Sequence, residues 1–146
     1  MCIRDSPSTV PVPVPDYSAA LARNLQGMKM GVPSNYFFEL VDREVAAAVR
    51  LAIEALQELG VETREVSLPS MEYSGALRFS SMADSVVTHE PYIKTKREDY
   101  GPDTLYRTLA GQFVLGRDYS KALKVQRIIQ EEHAQVLQEV DFLVCL

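Results

Sequence analysis

Residues 28–69 predict an apolar strand, then a helix with one apolar face, then a second strand. This order of elements constrains the fold more than any other feature of the sequence. The segment MKMGVP, residues 28–33, is short and mostly apolar and has Gly27 before it, which is typical of a strand. The segment VETREVSLP, residues 61–69, places charged residues beside Val61, Thr63 and Glu65 and predicts the second strand.

The helix between the two strands is predicted from its ends and its apolar stripe. Asp42 is a good N-cap, Glu44 lies where the helix dipole favours a negative charge, and Gly60 suits the left-handed position beyond the last turn. Apolar residues recur at spacings of three and four: Val45, Ala48, Val49, Ala52, Leu56 and Leu59. A strand, helix and strand of this length form a βαβ unit, so we expect parallel strands with a right-handed crossover.

Beyond Pro69 the sequence predicts helices and one last strand. Ser70 is expected to cap a helix that ends near His89, because Pro91 and the residue before it disfavour continuation. Two further helices are expected to begin at Asp103 and Asp118, the first of them reaching about Val114, and VDFLV, residues 140–144, predicts a buried strand. The predicted fold class is therefore α/β: a βαβ unit followed by helices and a final strand.

Composition and charge exclude some functions. The formal charge of −5 disfavours nucleic-acid binding, since phosphate recognition requires a basic surface. No apolar run reaches the length of a membrane span, and no apolar signal segment follows Arg4. Cys2 and Cys145 lie at opposite ends without metal-ligand spacing, so the expected location is the cytoplasm.

Each candidate chemical group has a structural explanation that is favoured on the residues alone. Ser80 and Ser81 could be nucleophiles and Asp84 a base, but small packing residues and a locally paired acid fit the pattern better. His133 falls at apolar helix spacing, and His89 is expected at a helix C-terminus where the dipole favours imidazolium. No nucleotide-binding, zinc-protease or serine-hydrolase motif is present.

A further group follows Tyr100, where Arg107 and Tyr119 lie around a predicted loop and helix. The planar guanidinium of Arg107 suits a carboxylate or a carbonyl. On the residues alone, a surface ion pair is the favoured explanation of Arg107, because three acids are close in sequence: Glu98, Asp99 and Asp103.

Six ordered segments resemble the C-terminal half of amidase signature enzymes. They are PVPDYSAAL; LQGMKMGVPSNYFFELVDREVAAAVRLAIEALQELGVETREVSLP; ADSVVTHEP; EDYGPDTLYRTLAG; DYSKALKVQRII; and VDFLV. The resemblance covers about residues 8–144 and implies part of an α/β/α sandwich with a mixed sheet. It also implies hydrolysis of carbon–nitrogen amide bonds in small molecules by a Ser–cis-Ser–Lys arrangement.

The family's catalytic residues lie in a Gly/Ser-rich segment N-terminal to the quoted blocks, and this sequence contains no such segment. No catalytic residue is therefore transferred, no cofactor or metal is implied, a homodimer is left open, and the isolated chain is expected to be inactive. Arg107, four residues before Gly111, resembles an arginine that helps to bind glutamine in the A subunits of tRNA-dependent amidotransferases. It is the one substrate-binding residue that the resemblance supplies.

Two alternatives to a stand-alone amidase stay open. One is part of the A subunit of an aspartyl/glutamyl-tRNA(Asn/Gln) amidotransferase, although the segment LGRDYSKAL is shorter than in those subunits; the other is a non-enzymatic α/β interaction module. The predicted organisation is a non-native leader at 1–6, a Pro-rich linker and short helix at 7–27, amidase sequence at 28–144 and a non-native end at 145–146. Strands 28–33 and 61–67 are expected to have unpaired edges.

Overall fold

The computed structural model describes residues 12–22 and 24–146, so the predicted leader and the start of the Pro-rich linker lie outside the described residues. The helices and strands in chain order are α1 Tyr17–Ala20, β1 Lys29–Pro33, α2 Arg43–Glu58, β2 Glu62–Val66, α3 Leu77–Thr95, α4 Pro102–Ala110, α5 Gly116–Val136 and β3 Phe142–Leu143. Short 3-10 segments occupy Pro69–Ala76, Arg97–Asp99 and Gly111–Phe113.

The three strands form a parallel sheet in the order β2-β1-β3. Met30 is paired with Thr63 on one side and with Phe142 on the other, which confirms the parallel pair predicted for the βαβ unit. The expectation that strand 28–33 has an unpaired edge was wrong, because β3 returns to the far side of β1. Met30 is fully buried as a result.

The short strand β3 is fixed by hydrogen bonds beyond its two residues. The Lys29 amide donates to the Asp141 carboxylate at 2.7 Å, and the Asp141 amide donates to the Lys29 carbonyl at 2.8 Å. The Val144 amide donates to the Gly31 carbonyl at 2.9 Å. The predicted strand is thus present but shorter, and Phe142 and Leu143 are half-buried.

Helix α2 begins and ends as predicted. The Asp42 carboxylate accepts from the Glu44 amide at 2.8 Å, and Gly60 has a φ of +88°, which an L side chain rarely adopts. Its predicted apolar stripe is only partly covered: Val49 and Leu56 are half-buried, whereas Val45 and Leu59 are 49% and 60% exposed. The one buried residue of the helix, Ala46, lies outside the predicted stripe.

Asn35 joins the segments that follow β1 and β2. Its side-chain amide nitrogen donates to the Leu68 carbonyl at 3.0 Å, and its side-chain oxygen accepts from the Leu68 amide at 2.8 Å. Both backbone groups of the fully buried Leu68 are therefore satisfied by one side chain. No local sequence pattern predicts this contact, because the two residues are 33 positions apart.

The structure corrects the prediction for the segment beyond Pro69. Ser70 does not cap a helix; it is buried, and its amide and hydroxyl both donate to the carboxylate of Glu132 on α5. Ser70 lies in the 3-10 segment Pro69–Ala76, and α3 begins only at Leu77.

Helix α3 continues through Pro91 to Thr95 instead of ending near His89. Proline removes one helical hydrogen bond and strains the preceding turn, but the turn beyond it is anchored by buried Ile93 and by an ion pair between Lys94 and Glu90. The hydrogen bond from Lys94 and the Lys94 charge lower the pKa of Glu90. His89 therefore lies inside the helix and does not gain from a helix C-terminus.

Helices α4 and α5 are present, but their predicted caps were wrong. Gly101 and Leu115 occupy the capping positions, and neither cap makes a side-chain hydrogen bond. Asp103 and Asp118 lie inside the first turns, where their charges still suit the helix dipole. Pro102 explains the early start of α4, since proline favours the first helical position.

Candidate functional site

A groove of about 460 Å³ lies between α3 and α4. Helical spacing places its lining residues on facing sides of the two helices. These residues are Arg78, Ser81 and Met82 from α3 and Tyr106, Arg107 and Ala110 from α4. A smaller recess of about 280 Å³ adjoins it and shares Ser81, Met82 and Arg107, so Arg107 contributes to both.

A close backbone contact beyond the end of α4 determines the spacing of the groove. A Cβ atom added at Gly111 would overlap the Met82 carbonyl oxygen of α3 and would lie 2.7 Å from the carbonyl carbon. Gly111 is buried and has a φ of −60°, which any residue can adopt. Glycine is therefore required here for its size and not for its backbone freedom.

The guanidinium of Arg107 is engaged by its own helix. Its Nε atom lies 3.1 Å from both carboxylate oxygens of Asp103, and both side chains are 79% exposed. The predicted ion pair is therefore confirmed for Asp103. Because only Nε is used, the two terminal nitrogens form no hydrogen bond within the part of the chain that the structure describes.

Arg78 is the second cation of the groove, and sequence reasoning missed it. Its side chain forms no ion pair and no hydrogen bond among residues 12–22 and 24–146. The signal in the sequence was its spacing: Arg78, Ser81 and Met82 are three and four residues apart and share one face of α3. The groove could not be recognised without the position of α4.

The structure does not bring the side chains of Tyr100, Arg107 and Tyr119 to a common hydrogen-bond partner. The Tyr100 hydroxyl lies 2.8 Å from Nδ1 of His89, whereas the Tyr119 hydroxyl donates to the Asp84 carboxylate at 3.1 Å. This hydrogen bond and the negative charge of Asp84 raise the pKa of Tyr119. Asp84 is exposed and paired, but its partner Tyr119 lies on α5, 35 residues away, so the expectation of a local partner was wrong.

The structure confirms the predictions for Ser80 and His133 but not the one for Ser81. Ser80 is buried, with its hydroxyl donating to the Leu77 carbonyl at 3.0 Å, so its packing role is confirmed. Ser81 is exposed and lines the groove, so the packing interpretation was wrong for it. His133 is half-buried, and its Nδ1 lies 2.9 Å from the Ile129 carbonyl oxygen, as expected for a satisfied boundary histidine.

Metal ligands and membrane-spanning helices are both missing from the described part of the chain. No group of three or more His, Cys, Asp or Glu side chains in residues 12–22 and 24–146 could hold a metal ion. None of the helices in those residues is long and apolar enough to cross a membrane.

Comparison with known proteins places the chain in a family. The family model described as Amidase matches residues 1–145. The chain belongs to the amidase family. The resemblance to amidase signature enzymes is therefore confirmed, and the fold agrees, since solved amidases are among the structures that match.

The similar proteins include both amidases and amidotransferase subunits. An amidase of Pseudomonas putida is 35% identical over 94% of this chain and 30% of that protein. The A subunit of a glutamyl-tRNA(Gln) amidotransferase from Geobacter sp. (strain M21) is 33% identical over 94% of this chain and 33% of that protein. The chain thus spans about a third of the length of these relatives.

Solved structures show the same relationship. A crystal structure of an amidase matches 83% of this chain and 28% of its own, with a TM-score of 0.69 and 27% identity. A bacterial aryl acylamidase of the amidase signature family covers 95% of this chain and 30% of its own, with a TM-score of 0.69 and 19% identity, and this likeness supports the fold alone. The A subunit of the glutamyl-tRNA(Gln) amidotransferase from Thermotoga maritima covers 80% of this chain and 26% of its own, with a TM-score of 0.50 and 25% identity.

Substitution of Gly111 by alanine tests the backbone contact beside the groove. We expect Gly111→Ala to lower the free energy of unfolding by about 1 to 3 kcal/mol, because the added methyl group forces α3 and α4 apart. Urea unfolding followed by circular dichroism measures the change. Gly116→Ala is the matched control, since no atom lies within 4 Å of its added Cβ. Equal stability of Gly111→Ala and the parent chain would contradict the close contact.

Proposed function

We propose that this chain supplies a substrate-binding wall of an amidase that hydrolyses carbon–nitrogen amide bonds in small molecules. The observation that carries the proposal is the match of the amidase family model to residues 1–145, together with an open groove lined by Arg107. The catalytic Ser–cis-Ser–Lys groups of the proposed enzyme belong to sequence outside this chain. The proposal places the enzyme in the cytoplasm, in keeping with a composition that includes only two cysteines.

Arg107 is the proposed contact to the polar part of the substrate. Asp103 lies against Nε and compensates the charge, while the terminal nitrogens keep their donors for a ligand. Donors held in this way suit the carbonyl oxygen of an amide, which accepts hydrogen bonds but carries no full charge. The ion pair thus orients the guanidinium without occupying it.

The A subunit of an amidotransferase is the second candidate, and two observations favour a stand-alone amidase. Over the same 94% of this chain, the alignment with the P. putida amidase spans 139 positions and that with the Geobacter protein spans 162, so the Geobacter protein has additional residues in the matched region. The TM-score is also higher for the solved amidase, 0.69 against 0.50 for the Thermotoga protein. Membership of the amidase family argues against a non-enzymatic interaction module.

The isolated chain is expected to be inactive, because the proposal assigns the nucleophile to other sequence. Purified chain incubated with a simple amide and with an activated ester should release product no faster than buffer. The control is the same preparation treated with a serine-reactive phosphonate. Turnover that the phosphonate abolishes would show a nucleophile within the chain and contradict this division of roles.

A chimaeric enzyme tests the proposed role directly. The matched third of the P. putida amidase is replaced by this chain, and the product is expected to fold and to hydrolyse amides. In that protein Arg107→Gln should raise KM about tenfold with a smaller change in kcat, because a charge-assisted hydrogen bond to the bound substrate is lost.

Arg127→Gln is the matched control for the chimaera. Arg127 is likewise exposed and paired with an acid one helical turn away, Glu131, but it lies on α5 and does not line the groove. The KM of the Arg127→Gln chimaera should equal that of the unsubstituted chimaera. A folded chimaera without hydrolysis would overturn the proposed function, and an unchanged KM in Arg107→Gln would overturn the role of Arg107.

A further inference from the structure

We propose that Arg78 makes the groove selective for amides that carry a carboxylate group beside an apolar segment. The inference rests on the proposed function of the groove and specifies its class of substrate. It begins from a difference between the two cations: Arg107 is paired with Asp103, whereas Arg78 has no acidic partner within the described chain. The charge of Arg78 is therefore the one left to be compensated by a ligand.

The charge of the groove is opposite to that of the whole chain. Its lining includes two arginines and no acidic side chain, although the formal net charge of the chain is −5. Asp103, the acid that pairs with Arg107, lines the adjoining recess rather than the groove itself. An anionic ligand therefore meets a local positive potential at this place on an acidic protein.

The remaining lining residues define the rest of the ligand. Met82 is half-buried and Ala110 is half-buried, while Tyr106 is 69% exposed, so the groove offers an apolar floor and an aromatic ring. The exposed hydroxyl of Ser81 adds one donor and acceptor. The ligand that fits this combination has an aryl or alkyl segment against Met82 and Tyr106 and a carboxylate at Arg78, with an amide oxygen at Arg107.

The division of roles between the two arginines follows from their partners. Arg107 offers hydrogen-bond donors, but Asp103 already compensates its charge. Arg107 therefore binds acidic and neutral ligands equally well. Arg78 offers a charge without compensation, and it therefore distinguishes an anion from its neutral analogue. Loss of Arg78 removes the preference for the acid, whereas loss of Arg107 weakens both kinds of ligand.

A matched pair of ligands tests the inference on the full chain. 4-Phenylbutyrate and 4-phenylbutyramide have the same apolar segment and differ in charge. Each is titrated into the ¹⁵N-labelled chain, and its affinity is obtained from the backbone amide chemical shifts in ¹H–¹⁵N correlation spectra. We expect 4-phenylbutyrate to bind about fivefold more tightly than 4-phenylbutyramide at low ionic strength, because one exposed ion pair contributes an affinity difference of about this size. Added salt should reduce the difference because it screens the charge.

Two variants isolate the contribution of Arg78. Arg78→Gln should abolish the preference for 4-phenylbutyrate and leave the affinity for the neutral amide unchanged. Arg64→Gln removes an exposed arginine from β2, outside the groove, and should keep the preference. Circular dichroism spectra of the variants confirm that each has folded.

The outcomes separate this inference from the proposed function. Equal affinity for the two ligands, no saturable binding of either, or a preference that survives in Arg78→Gln overturns the role of Arg78. None of these measurements requires turnover, so an active chimaera without acid selectivity contradicts only the inference. A selective groove in a folded but inactive chimaera contradicts only the proposed function.

Discussion

The close approach of Gly111 to the Met82 carbonyl is the contact on which the candidate site depends. It brings the end of α4 against the middle of α3, where any side chain at Gly111 would overlap the backbone of the other helix. Arg78 and Ser81 lie on α3, and Tyr106 and Arg107 lie on α4, so their separation is determined by this contact. A shift of the helices by the width of a methyl group would alter the groove along its length.

Bonds between distant segments hold the rest of the chain around this pair of helices. The Glu132 carboxylate binds the amide and hydroxyl of Ser70, joining α5 to the segment that leads into α3. Asn35 satisfies both backbone groups of Leu68, and Asp141 pairs with Lys29 beside the sheet. The backbone groups of Ser70 and Leu68 are part-buried and would be costly to leave without partners, whereas the bond between Lys29 and Asp141 is exposed.

The features predicted correctly from sequence are those with local causes. The signals of Asp42, Gly60 and the strand at 62–66 act within a few residues, and they suffice to predict the βαβ unit. Pro91 does not end α3 because its local cost is offset by the packing of Ile93, which no local pattern reveals. The pairing of β1 with β3 joins residues more than 100 positions apart, so no short-range signal marks β1 as the central strand.

The candidate site is predictable only in part for the same reason. Arg107 is identified through resemblance, and its pairing with Asp103 is expected because the two residues are four apart on one helix. Arg78 becomes apparent only when α4 is found beside α3. The proposed function therefore assigns substrate binding to residues of this chain and the breaking of the amide bond to groups outside it.

The central claim is that α3 and α4 meet at Gly111 and so form the groove between them. It is tested most directly by nuclear Overhauser effects in the ¹⁵N,¹³C-labelled chain, between the Gly111 α-protons and the Ala83 amide proton. An ideal Cβ at Gly111 lies 3.3 Å from the Ala83 nitrogen, so a strong cross-peak is predicted. A folded chain with assigned resonances and no such cross-peak would contradict the claim.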